Sequence, residues 1–82
     1  MGITLGYNKM SLEQFKSLIG RTPEDAILYL STYKIVVNNY EIKSIRVAKR
    51  DNFPLALTMD LKNDRLNVET IDGLITKIGA IG

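Results

Sequence analysis

Between Lys49 and Asp64 no 3.6-residue apolar period can be drawn, although apolar and polar residues alternate in strand fashion on both sides of that stretch. This gap limits the fold more than any other feature. If the strand before it runs parallel to the strand after it, the connection must travel back along the sheet with no helix to carry it. The connection would then be the crossover itself, stretched over one end of the domain. Its centre, Leu57-Thr58-Met59-Asp60-Leu61-Lys62-Asn63-Asp64-Arg65-Leu66-Asn67-Val68, reads as exposed extended peptide running directly into a strand, and Asp51-Asn52-Phe53-Pro54 upstream is a turn signal. Leu55, Leu57, Met59 and Leu61 fall on alternate residues, which is too apolar for a disordered linker. Long structureless connections in compact domains tend to be binding segments or linkers. An irregular edge strand is the competing reading.

The remaining elements are read from local signals. Residues 1–10 carry two glycines and no sustained period, and are taken as an N-terminal arm before a single domain at 11–82. Ser11 as N-cap, Gln14 completing a capping box and Gly20 as the terminating left-handed residue predict a short helix over 12–19, with Leu12, Phe15 and Ile19 on one face and Leu18 beside them. Thr22-Pro23-Glu24-Asp25 starts the main helix: the hydroxyl caps, proline takes the first turn, and the carboxylates meet the positive end of the dipole. Ala26, Ile27, Leu30 and Tyr33 then recur at helical spacing as its buried face, with Tyr29 on the more exposed flank. Ile45 and Val47 alternate with Ser44, Arg46 and Ala48 in a strand over 42–48. Leu66, Val68 and Thr70 form the inward side of a second strand, with Arg65, Asn67 and Glu69 opposite. Asp72-Gly73 is a type I′ hairpin turn leading to a third strand at 74–78 and a tail at 79–82. Ile35-Val36-Val37 is too brief to assign. The expected fold is α+β, one main helix on a small mixed sheet, with a long exposed loop between two parallel strands.

Composition narrows the function classes. Eighty-two residues make one domain with a small core, and 45% hydrophobic with 24% charged residues is the composition of a folded globular chain. With no cysteine and no histidine, the chain lacks a thiolate or imidazole metal ligand, a disulfide and the commonest general base. Neither a hydrolytic triad nor a zinc site is easily assembled, so the expectation is a non-enzymatic protein without metal or cofactor. No apolar run approaches the length of a membrane span, and the opening residues lack the layout of a secretory signal. Gly6 stands where a myristoylation signal needs Ser or Thr. A soluble, intracellular protein is therefore expected, with no membrane partner. The net charge of +2 is mildly basic, and Lys43, Arg46, Lys49 and Arg50 with Lys62 and Arg65 form a candidate basic patch. A solvated strand face explains them better than nucleic-acid binding, which favours a larger charge excess or interleaved aromatics.

Phe15-Lys16-Ser17-Leu18-Ile19-Gly20-Arg21-Thr22, Glu24-Asp25-Ala26 and Thr58-Met59-Asp60-Leu61-Lys62-Asn63-Asp64-Arg65-Leu66-Asn67-Val68 occur here in that order. Taken together the chain resembles the potato inhibitor I family of serine protease inhibitors, the eglin and seed chymotrypsin inhibitor type, and especially its bacterial-type relatives. These segments are similar to the family's aromatic-x-x-Leu-Val-Gly-Lys-Ser, Glu-Glu-Ala and Thr-Met-Asp-Tyr-Arg-Pro-Asp-Arg-Leu-Asn-Val patterns. The resemblance implies that the long loop, Leu57, Thr58, Met59, Asp60 and Leu61 in particular, lies across a protease cleft as a substrate would. It implies Met59 as the specificity residue, Met59-Asp60 as the scissile bond, and Arg65 beneath the loop donating hydrogen bonds to Thr58 and Asp60. Where plant-type members carry a second supporting arginine two residues after the first, this chain has Asn67, as the bacterial-type relatives do; Leu61 and Asn63 replace Tyr and Pro, and the approach through Arg50-Asp51-Asn52-Phe53-Pro54 is longer than usual.

The function expected from the resemblance is inhibition of subtilisin-like or chymotrypsin-like serine proteases, whose apolar pockets suit an unbranched thioether. The rival is a non-inhibitory structural or interaction protein on the same scaffold, self-associating into a homo-oligomer through the N-terminal arm and the apolar loop. Weak nucleic-acid binding ranks below both. Met59 as a core methionine, and Arg65 as a plain strand-end cation, are the simpler alternatives for those two residues.

Overall fold

The structure, a computed structural model, describes residues 14–82. The arm at 1–10 and the proposed cap at Ser11 with Leu12 lie outside the described residues. A 3₁₀ turn at Lys16–Leu18 leads to helix α1 (Pro23–Tyr33), followed by strands β1 (Val36–Val37), β2 (Tyr40–Glu41), β3 (Ser44–Arg50), β4 (Phe53–Pro54), β5 (Arg65–Ile71) and β6 (Leu74–Ile81). β1 and β2 pair as a small hairpin, and the main sheet has the order β4-β3-β5-β6. Its central pair, β3 and β5, is parallel, while β4 and β6 join antiparallel at the two sides. The architecture is thus a small α+β domain with one main helix and a mixed sheet.

The first turn differs from the expected helix. Phe15 and Leu18 enter the core, but the backbone leaves helical geometry at Ile19 (ψ 131°), whose side chain is 44% exposed. The reason lies in Gly20 (φ 88°) and Arg21, which pair with the outer edge of β6: Gly20 N–H donates to Ile75 O (2.8 Å), and Ile75 N–H donates to Arg21 O (2.8 Å). Two sheet bonds outweigh another half-turn of an already short helix.

Helix α1 starts as its sequence directs. The Thr22 hydroxyl accepts from Asp25 N–H (3.1 Å), and Pro23 sits in the first turn. Ala26 and Leu30 are buried, whereas Ile27 is partly exposed and Tyr33 is 66% exposed. Tyr29 takes the place expected of Tyr33: it packs against the core while its ring stacks on Tyr33 (4.6 Å) and lies under the Arg21 guanidinium (4.7 Å). The apolar stripe of an amphipathic helix is about 100° wide, so a flank residue carrying a large ring can cover more core than one on the nominal face.

Two turns carry more structure than local reading assigned. Asn38 and Asn39 both have positive φ (53° and 71°) and fold Val36–Val37 against Tyr40–Glu41, giving the unassigned 35–37 run a partner. Asp51 and Asn52 (50° and 70°) do the same for β3 and β4. Asn and Asp tolerate this left-handed region because a short polar side chain can bond locally. The Asp51 carboxylate also accepts from Asp72 N–H (2.8 Å), linking this turn to the Asp72–Gly73 hairpin.

The core joins Phe15, Leu18, Ala26, Leu30, Ile35, Ile42, Leu66, Val68 and Ile75. β3 begins at Ser44 rather than 42, because Ile42 is buried under the sheet end and Lys43 and Ser44 both donate to Asp64 O (2.8 and 3.2 Å). A register shift between Val47 and Lys49 leaves Ala48 as a bulge. β6 continues past Ile78 to Ile81, through the residues read as a tail. Gly79 permits this: a Cβ there would stand 2.9 Å from Asn67 O, so only a residue without one lets the two backbones lie this close.

Candidate functional site

β4 doubles back along the outer edge of β3, and Leu55 N–H continues that contact by donating to Ala48 O (3.0 Å). The chain therefore already points back toward the start of the sheet when the loop begins. At the other end, Asp64 O closes against the first residues of β3 before Arg65 opens β5 beside Ser44. The helix-free crossover is made by a two-residue return strand and an extended loop. Both ends of that loop are fixed by backbone bonds.

Its middle is held by side chains. The two-residue period of β5 turns Leu66, Val68 and Thr70 into the core and leaves Arg65, Asn67 and Glu69 half-buried on the opposite side. Parallel register sets Arg46 next to Asn67. Arg46 Nε donates to Asn67 Oδ1 (2.7 Å), and Arg46 Nη1 reaches across to Thr58 Oγ1 (3.1 Å). The Thr58 hydroxyl in turn donates to Asp60 Oδ1. From the second side, Arg65 Nη2 donates to the Asp60 carbonyl (3.0 Å), and Nη1 faces Asp60 Oδ2 at 3.5 Å. The arginine is itself anchored by Nε to Gly82 O (2.8 Å), and Asn67 Nδ2 donates to Ala80 O (3.0 Å) and Gly82 O (3.3 Å).

These contacts fix a chain of polar groups from β6, through β5 and β3, to the residues on either side of Met59. The Arg65 side chain is only 11% exposed, so its guanidinium is less screened than a surface cation. The Thr58 hydroxyl is the largest influence and holds the Asp60 carboxyl below its ordinary value of 3.8 against the opposing effect of desolvation, with the Arg65 charge and hydrogen bond adding to the lowering. Met59 stands 95% exposed between its two anchored neighbours, and Leu61 is 89% exposed. Leu57 and Phe53 are exposed on the same approach. The geometry holds a short loop peptide, bent at Met59, by both flanks of that residue and leaves its side chain in solvent.

One expected contact is different. Thr58 accepts from Arg46, not from Arg65, because the loop descends along β3 before it crosses to β5. Arg46, read from the sequence as part of a basic patch, is half-buried and turned toward the loop. The other members do not share one place: Lys43 precedes β3, Lys49 and Arg50 end it roughly 20 Å away along an extended strand, and Lys62 is in the loop. Arg46 is the site residue that sequence reasoning missed. Aligning Ile45 with Leu66 and Val47 with Val68 as parallel partners would have found it, since that register brings Arg46 to Asn67.

Among the described residues, no group of three or more acidic side chains is gathered to hold a metal ion, and no helix is long and apolar enough to cross a membrane. No protein-family model matches the chain, and comparison with curated proteins and with solved structures returned no match.

Proposed function

We propose that the protein is a serine protease inhibitor of the potato inhibitor I type, presenting residues 57–61 to subtilisin-like or chymotrypsin-like enzymes with Met59 in the primary pocket. The observation that carries this reading is the contrast at Met59: its side chain is free, while Thr58 and Asp60 on either side are tied to Arg46 and Arg65. A peptide already held in one conformation avoids ordering costs of about 0.5 to 1.5 kcal/mol per immobilised side chain on binding.

In the reaction, the protease serine Oγ attacks the Met59 carbonyl carbon. The Met59-Asp60 bond breaks, the serine proton passes through the enzyme's base to the departing Asp60 nitrogen, and Met59 becomes an ester on the enzyme. Arg65 keeps its bond to the Asp60 carbonyl, so the new amine stays beside the ester. It can attack that ester and restore the peptide bond, returning the proton to serine, faster than water can enter to give a free Met59 carboxylate. Slow net cleavage is then a consequence of bracing rather than of poor binding. A trypsin-like pocket, built for a cation, is a poor match for Met59.

The test is incubation with subtilisin and with chymotrypsin, following enzyme activity and the mass of the inhibitor chain together. Slow, stoichiometric loss of activity with an intact or barely cut chain is expected, with inhibition about a hundredfold weaker for Met59→Gly, the magnitude of burying one large apolar side chain. Rapid cutting with undiminished enzyme activity would defeat the proposal. The exposed apolar set Phe53, Leu57, Met59 and Leu61 favours a second reading, a non-inhibitory scaffold that self-associates through this surface. It predicts a light-scattering mass above the 9.2 kDa of one chain.

A further inference from the structure

We propose that Arg46 is the second brace of the loop, a positioning residue supplied by β3, and that Asn67 serves to aim it. This rests on the inhibitor reading and names what controls persistence at the same site. Arg65 secures only the Asp60 side of the exposed residue, through the Asp60 carbonyl and carboxylate. Once the Met59-Asp60 bond opens, Arg65 reaches the segment ending at Met59 only indirectly, through the Asp60 carboxylate. Thr58 is the residue that must be held for the ester to stay opposite the amine, and its hydroxyl accepts from Arg46 Nη1 at 3.1 Å.

Thr58 also donates to the Asp60 carboxylate, so one hydroxyl joins the two halves across the bond to be cut. A threonine hydroxyl has one hydrogen to give and lone pairs to accept with, and here both capacities are used in opposite directions. The arginine fixes which way the hydrogen points, because a guanidinium can only donate. Cleaved halves would therefore stay joined through Arg46, Thr58, Asp60 and Arg65.

Asn67 explains how an arginine from a neighbouring strand can do this. Its amide oxygen accepts from Arg46 Nε at 2.7 Å while its amide nitrogen is engaged by Ala80 O and Gly82 O. The side chain is thereby locked with its oxygen toward β3, and the guanidinium it holds is turned with Nη1 toward the loop. The bracing charge comes from β3, at the parallel partner of position 67.

Arg46→Met, Thr58→Val, their double variant and Arg46→Met/Asn67→Arg test this with purified full-length protein and subtilisin. The readouts are the first-order rate of Met59-Asp60 cleavage and the rate of religation of isolated, cut protein. Arg46→Met is expected to be cut about tenfold faster, with religation slowed by a similar factor, the size expected for losing one charge-assisted hydrogen bond. Thr58→Val should be cut at least as fast, because it also removes the bond to Asp60, and the double variant should add little to Thr58→Val alone. Asn67→Arg should return much of the loss by restoring a guanidinium from β5. Cleavage rates can be compared whether or not the wild type inhibits. Rapid cutting of the wild type removes the inhibitor reading. Equal cutting rates for wild type and folded Arg46→Met, or fully additive effects of Arg46→Met and Thr58→Val, overturn the role of Arg46. Thr58 is exposed and outside the core, so its variant keeps the comparison available if Arg46→Met folds poorly.

Discussion

β5 is entered through the loop at 55–64 and left through the turn at Asp72–Gly73, and these two connections are held in opposite ways. The turn carries its instruction in its own two residues. Asp72 (φ 52°) and Gly73 (φ 78°) take the left-handed values that match the twist of a two-residue hairpin, and the Asp51 carboxylate adds one bond from outside. The loop has no comparable local code. Its shape depends on Arg46, Arg65 and Asn67, and through them on the backbone oxygens of Ala80 in β6 and of Gly82 just beyond it. A turn of the first kind forms whenever its strands meet, whereas a loop of the second kind is correct only when the whole sheet is in register. Stability should therefore reside in the turn and cleavage resistance in the loop.

The largest expected effect comes from Arg65→Ala. Removing this guanidinium frees the Asp60 carbonyl, so Met59-Asp60 should be cut by subtilisin about a hundredfold faster, by loss of more than one charge-assisted bond. Its melting temperature should fall by only a few degrees, as expected for a pair whose acidic partner is half exposed. A collapse in melting temperature with unchanged cutting would reverse the assignment.

Gly79→Ala is the variant designed to break the separation. Its new methyl would meet Asn67 O, so β6 must shift and Asn67 with it. A loss of about 1 to 3 kcal/mol in denaturant unfolding is expected, together with faster loop cutting, because the same displacement loosens Asn67 behind Arg46.

Gly73→Ala should act on stability alone. A side chain at φ 78° costs about 1 to 2 kcal/mol, or roughly 5 to 10 °C in melting temperature, with loop cutting in the folded protein unchanged.

The smallest effect is the titration of Asp60. Its carboxyl is held below 3.8 in the folded protein, so the carboxylate's contribution is complete above that value and disappears as pH falls through the lower, folded pKa. The stability it contributes should be constant from neutral pH until the unfolded carboxyl titrates near 3.8, and loop order should persist below that, until pH falls through the lower, folded pKa. A carboxyl-carbon NMR titration should give a midpoint below 3.8, and Thr58→Val should move it upward because that hydroxyl is the leading cause.

The difference between turn and loop also marks what could be read in advance. The Thr22 cap with Pro23, the inward set Leu66, Val68 and Thr70, and the Asp72–Gly73 hairpin were legible because each is an interaction within a few residues or a simple period. The absence of a helix between Lys49 and Asp64 indicated an extended crossover for the same reason. By itself, then, the sequence determined one capped helix, the alternation of its longer strands and the positions of its tightest turns, since backbone sterics and capping act at short range. Only the tertiary structure decided that β6 runs on past Gly79, that Tyr29 rather than Tyr33 covers the core, and that Arg46 lies beneath Thr58. Those outcomes depend on which strands become neighbours and in what register, and register is set by the combined burial of apolar side chains across the sheet, a property no short segment possesses.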